Sequence, residues 1–140
     1  MVYLNLSNVE RKMVVKKTIV ISSNTSWFIY NFRLNLLKEL ASQGYTVIVV
    51  APKDNYSSKL EKFGFKYYEI KINSKGVNPF VDIRLLYSFY KLYKRISPDV
   101  ILHNTIKPNI YGSIAAGILG IPVISNITGL GTVFIHNKIS

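Results

Sequence analysis

The sequence predicts an α/β fold: a single Rossmann-like domain whose parallel sheet of about five strands, in order 3-2-1-4-5, carries helices on both faces. Three observations predict it. Apolar runs of strand length recur along the chain, and nearly every gap between them has helical length and periodicity. The helical stretches end at Gly44, Gly64, Ser97-Pro98 and Gly120-Ile-Pro122, which are ordinary stop signals. No Asp, Glu, Lys or Arg occurs from Pro108 to Asn137, yet Asn109, Gly120-Ile-Pro122 and Asn126 interrupt that stretch, so it reads as helix plus buried strand.

Residues 1–15 form a polar, irregular tail that is either disordered or a start-site artefact, since Met13 offers a second start; residues 16–140 are the domain. Lys16–Ser23 is the first strand, followed by a turn with Ser26 as the expected N-cap. A helix from about Trp27 to Gln43 places Ile29, Phe32, Leu36, Leu37 and Leu40 on one face. Tyr45–Ala51 is the second strand, Tyr56–Phe63 a short helix, and Phe65–Ile72 the third strand. After the loop Asn73–Pro79, a helix runs from about Phe80 to Ile96, with Arg84, Ser88, Lys91 and Arg95 on one narrow stripe. Its other faces are apolar, so it packs on the sheet and a neighbour, or lies on a membrane surface. Asp99–Asn104, a helix over Asn109–Leu119 and Val123–Ile127 complete the alternation.

A chain of 140 residues with 49% hydrophobic and 18% charged side chains buries a real core rather than staying disordered. It has no cysteine and two histidines, which excludes a disulfide scaffold and makes a metal site an unpromising reading. The net charge of +11 asks for an anionic partner. The basic residues are dispersed rather than clustered with aromatics, which argues against nucleic acid and leaves phosphate-bearing ligands or an anionic membrane surface. No signal peptide is visible, so the expected location is cytoplasmic.

In the expected strand order, ligands bind at the switch point between the first and fourth strands, beyond their carboxyl ends. The loop after the first strand offers Asn24, Thr25 and Ser26. The loop after the fourth offers His103, Thr105, Lys107 and Asn109, and the loop after the fifth offers Thr128, Gly129 and Gly131. His103 reads either as a core histidine or as a crevice residue that orients substrate. Lys107, beside the helix start at Pro108, reads either as a solvated lysine or as an anion site for a phosphate or sugar-phosphate. The first loop, Ser22-Ser23-Asn24-Thr25-Ser26-Trp27, has no glycine, and no P-loop occurs, which disfavours classical NAD, FAD and P-loop readings. Asp54, Glu61 and Asp82 lie in different elements, so no carboxylate pair is set for acid–base chemistry.

The run His103-Asn-Thr105-Ile-Lys107-Pro108-Asn-Ile-Tyr111-Gly112-Ser-Ile-Ala115-Ala116, then Pro122 and Gly129-Leu130-Gly131 up to Phe134, resembles the N-terminal domain of family 4 glycosyltransferases. The resemblance is greatest to the bacterial capsule, O-antigen and glycan-assembly enzymes. Phe32-Arg33 and Ala51-Pro52 match as well, which adds Arg33 to the candidate substrate-binding residues; in all, the resemblance covers about residues 16–136. It implies the acceptor-binding, N-terminal half of a GT-B enzyme. The acceptor would be polyprenyl-phosphate-linked or a glycan, met peripherally on the inner face of the membrane. A nucleotide sugar would be co-substrate, with no other cofactor. Two departures matter. Thr128 stands where many members carry a histidine, so no catalytic base carries over, and the donor-binding C-terminal half is absent by Ser140. The expectation is therefore a fragment, a truncated frame or one subunit of a split enzyme, inactive alone. The rival expectation is a non-catalytic Rossmann- or flavodoxin-like subunit that docks on a membrane and recruits a partner.

Overall fold

A computed structural model of the chain describes residues 16–73 and 75–127; the tail over residues 1–15 and the loop residues Thr128, Gly129 and Gly131 lie outside them. The strands are β1 (Thr18–Ser22), β2 (Thr46–Ala51), β3 (Lys66–Glu69), β4 (Val100–Asn104) and β5 (Val123–Asn126). All four strand pairings are parallel and the order is β3-β2-β1-β4-β5, the order the sequence predicts. The helices are α1 (Ser26–Phe32), α2 (Leu34–Ser42), α3 (Ser57–Lys62), α4 (Pro79–Ile96) and α5 (Ser113–Leu119), with a single π-helical turn at Pro108–Gly112 leading into α5.

The sheet is buried on both faces because the central strands carry apolar residues at consecutive rather than alternate positions along most of their length. β1 sends Val20 to one face, where it meets Ile48, Ile101 and the α4 side chains Leu85, Phe89 and Tyr93. It sends Ile19 and Ile21 to the other, where Val47, Val49, Ile29, Leu37 and Leu60 close a second cluster. Burying a side chain such as Leu85 or Phe89 contributes about 1.5–3 kcal/mol, so α4 is held by one stripe at helical spacing: Asp82, Leu85, Phe89 and Tyr93. Ala115 and Ala116 of α5 are buried in the same cluster, and their small side chains let α5 lie close against α4 and the sheet.

Three local details differ from the sequence expectation. The N-cap of α1 is Thr25, whose Oγ1 accepts from the Phe28 N–H at 3.0 Å; Ser26 is already inside the helix and fully buried. The single helix expected over residues 27–43 is broken at Arg33 (φ −125°, ψ −4°), where α1 ends and α2 begins. The helix expected from Asn109 opens instead as the π turn, which places Gly112 against the His103 ring.

Candidate functional site

β1 ends and the chain turns at Asn24; β4, its parallel neighbour, ends and turns at Thr105. Topology thus brings two loops 81 residues apart into contact, and the Asn24 N–H donates to Thr105 Oγ1 at 3.0 Å. Thr105 holds φ +67°, a left-handed conformation that costs a non-glycine residue on the order of 1 kcal/mol or more. Its carbonyl, turned by that conformation, accepts from Asn109 Nδ2 at 2.7 Å. The same amide donates to the Asn126 carbonyl at 2.9 Å, tying the loop after β4 to the end of β5.

Asn104, the last residue of β4, is fully buried and organises the rim. Its Nδ2 donates to the Ser22 carbonyl at 3.2 Å, fixing the direction of its Oδ1. That oxygen accepts from Arg33 Nε at 3.0 Å and from Asn126 Nδ2 at 3.3 Å. Arg33 sits at the break between α1 and α2, with its guanidinium 5.4 Å from the Phe28 ring centroid. A cavity of about 400 Å³ opens beside it, lined by Phe32, Arg33, Leu36, Leu102, Ile124, Ser125 and Asn126. The rim is made of amides, hydroxyls and one guanidinium, groups that recognise hydroxyl-rich or phosphorylated ligands by hydrogen bonding. Among the described residues no cluster of three His, Cys, Asp or Glu side chains is placed to hold a metal.

The remaining candidates occupy other positions. Ser26 Oγ bonds the Pro52 carbonyl (3.0 Å), Ser57 Oγ (3.1 Å) and Tyr67 Oη (3.0 Å), a knot that joins α1, α3 and β3 away from the crevice. Burial raises the Tyr67 phenol above its ordinary value. Of the open readings for His103, the structure has the buried one, with side-chain partners: Nε2 lies 2.8 Å from Tyr93 Oη and Nδ1 3.1 Å from Ser113 Oγ. Phe89 meets the ring edge-on at 6.2 Å. Burial pulls the imidazole down to about 4, so it is neutral at ordinary pH. Burial also pushes the Tyr93 phenol far up.

Lys107 is neither a solvated lysine nor aimed at the crevice. Its Nζ is 3.0 Å from Asp82 Oδ1 and 3.1 Å from the Gly76 carbonyl, clamping the loop after β4 to the start of α4. The hydrogen bond from Lys107 holds the Asp82 carboxyl below the usual carboxylate range, and a bond to the same carboxylate raises the Tyr111 phenol. Sequence reasoning missed Asn104, Asn126 and Asp82. The signal for the two asparagines was their position at strand ends beside the switch point; Asp82 carried no signal, because its partner lies 25 residues away.

The profile of the glycosyl transferase 4-like family matches residues 18–139. A stretch of 108 residues is 32% identical to the N,N'-diacetylbacillosaminyl-diphospho-undecaprenol alpha-1,3-N-acetylgalactosaminyltransferase of Campylobacter jejuni, covering 76% of this chain and 29% of that one. The fold superposes on a glycosyltransferase from Rickettsia africae with a TM-score of 0.64 at 21% identity, over 79% of this chain and 29% of the other. It superposes on Acinetobacter baumannii MurG with a TM-score of 0.64 at 22% identity, over 81% and 35%. The chain thus spans less than a third of the Campylobacter relative. A match over nearly the whole described fold makes this chain a member of the glycosyl transferase 4-like family.

Proposed function

We propose that the chain is the acceptor-binding half of a glycosyltransferase that moves a sugar from a nucleotide-sugar donor to a lipid-linked or polysaccharide acceptor in surface glycan assembly. The observation that carries this reading is the polar rim at the switch point, where Asn24, Thr105, Asn109, Asn126, Asn104 and Arg33 form one connected network. A preset network of donors and acceptors binds a hydroxylated ligand without first having to reorganise. Family membership and a relative named for a diphospho-undecaprenol acceptor support it. The donor sugar and its diphosphate would be held by a second Rossmann-like half, in the same or a separate chain. The test is amide NMR of this chain titrated with a short-chain polyprenyl-diphosphate sugar. Shifts should concentrate at Asn24, Thr105, Asn109 and Asn126; an unchanged spectrum, or shifts confined to another face, overturns the reading. Acceptor binding with no turnover alongside a donor half would favour the non-catalytic recruiting subunit.

A second reading concerns the membrane. Val77, Phe80 and Ile83 at and before the start of α4 are exposed, and Phe80 is 84% so; Ile106 and Ile110, on either side of the Lys107 that clamps this end to the segment after β4, are exposed as well. This apolar end suits a domain lying peripherally on the cytoplasmic face of an anionic membrane, where the polyprenyl acceptor would be met. Among the described residues no helix is long and apolar enough to cross a membrane. Flotation with phosphatidylglycerol vesicles should weaken with salt and with Phe80→Ser; flotation indifferent to both discards the idea.

A further inference from the structure

A second cavity lies away from the switch point. It is a groove of about 720 Å³ between the segment Glu69–Asn73, which leaves β3, and the outer flank of α4. Lys71 lines one wall, and Arg84, Lys91 and Arg95 line the other; Glu69 is the one acid on it. Among the described residues none of the four cations is paired with a carboxylate. Lys91 and Arg95 instead lie over the Tyr87 and Tyr68 rings, at 5.2 and 5.3 Å, which holds them along the groove. From Arg84 to Arg95 the helix rises about 16 Å. Ile70 and Leu85 supply an apolar floor.

The groove adjoins an open sheet edge. β3 pairs with β2 on one side and, among the described residues, is the last strand on the other. The Ile70 N–H still donates to Ala51, but Lys71, Ile72 and Asn73 make no main-chain hydrogen bond among the described residues. A flat headgroup layer meets cations but offers no matching row of N–H and C=O groups; an extended chain meets both. We propose that this groove docks an extended acidic segment of a partner protein, added as a strand along the outer edge of β3 with its carboxylates facing the α4 stripe. Strand addition supplies the main-chain bonds, and the cations set the sign of the partner, whose carboxylates point toward α4 while its alternate side chains point to the other face of the sheet. This is independent of glycosyl transfer, so either can fail without the other.

The experiment is fluorescence anisotropy of the full chain with a labelled peptide of about ten alternating Glu and Val residues, long enough at about 3.3 Å per residue to run the stripe. Binding should weaken between about 50 and 500 mM salt. The same peptide with every backbone nitrogen methylated has no N–H to give the edge and should bind about tenfold more weakly. Arg84→Gln/Lys91→Gln/Arg95→Gln should cost about tenfold or more, while Lys38→Gln/Lys59→Gln on the opposite layer should not. Lys71→Gln alone, on the strand side, gives the same answer should the triple variant misfold. Equal binding of the methylated peptide, insensitivity to the α4 and Lys71 changes, an equal loss from the opposite-layer variant, or displacement by phosphatidylglycerol vesicles or by pyrophosphate overturns the proposal.

Discussion

Replacing Gly112 by alanine should destabilise the fold, while the same change five residues later, at Gly117, should not. A Cβ built on Gly112 overlaps the His103 ring, whereas one on Gly117 meets nothing within 4 Å. The ring has nowhere to retreat. It is fully buried, held by Tyr93 on one nitrogen and Ser113 on the other, and backed by Phe89. Adding a methyl to a filled site costs about 1–3 kcal/mol; for a chain of this size that is a melting-temperature drop of roughly 3–12 °C. Gly117 is exposed inside α5, where alanine should add about 0.5–1 kcal/mol of helix propensity. Urea unfolding by circular dichroism reads both. His103→Ala will be destabilising alone through its cavity, but combined with Gly112→Ala the losses should fall short of their sum, because the ring that obstructs the methyl is gone. Additive losses, or a Gly112→Ala chain as stable as the parent, would refute the reasoning.

Other expected outcomes rest on single groups. His103 titrates near 4 in the fold and near 6.5 unfolded, so the unfolded chain binds more protons between these values; stability should be full above about pH 6.5 and fall by on the order of 3 kcal/mol toward pH 4, a slope that His103→Gln should remove. Lys107→Met should return the Asp82 carboxyl upward toward the ordinary carboxylate range in a carbon-detected NMR titration, and an unmoved Asp82 would show the ion pair does not form in solution. Arg33→Ala should weaken binding of a polyprenyl-diphosphate sugar by about tenfold, the loss expected for one charge-assisted bond, with little change in melting temperature because the guanidinium is only partly buried. Asn104→Ala, by contrast, should lower both, since the side chain is buried and satisfies three partners.

The sequence by itself determined the architecture. Strand and helix lengths, their stop residues and the right-handed crossover rule suffice for the order β3-β2-β1-β4-β5 and for the meeting of the Asn24 and Thr105 loops, because these follow from local periodicity and chain handedness. The family was legible in the residues from His103 to Ala116 for the same reason, that they are contiguous in the chain. What each side chain does within that frame was decided only by the tertiary structure. Ser26 looked like a cap and is an interior knot, since Pro52, Ser57 and Tyr67 converge on it from other elements. Lys107 looked free for an anion until α4 delivered Asp82 to it, and His103 was equally at home in crevice or core until Tyr93 and Ser113 closed over its two nitrogens. A polar side chain's role depends on the partner within 3 Å, and that partner is set by which elements pack together, not by its neighbours in sequence.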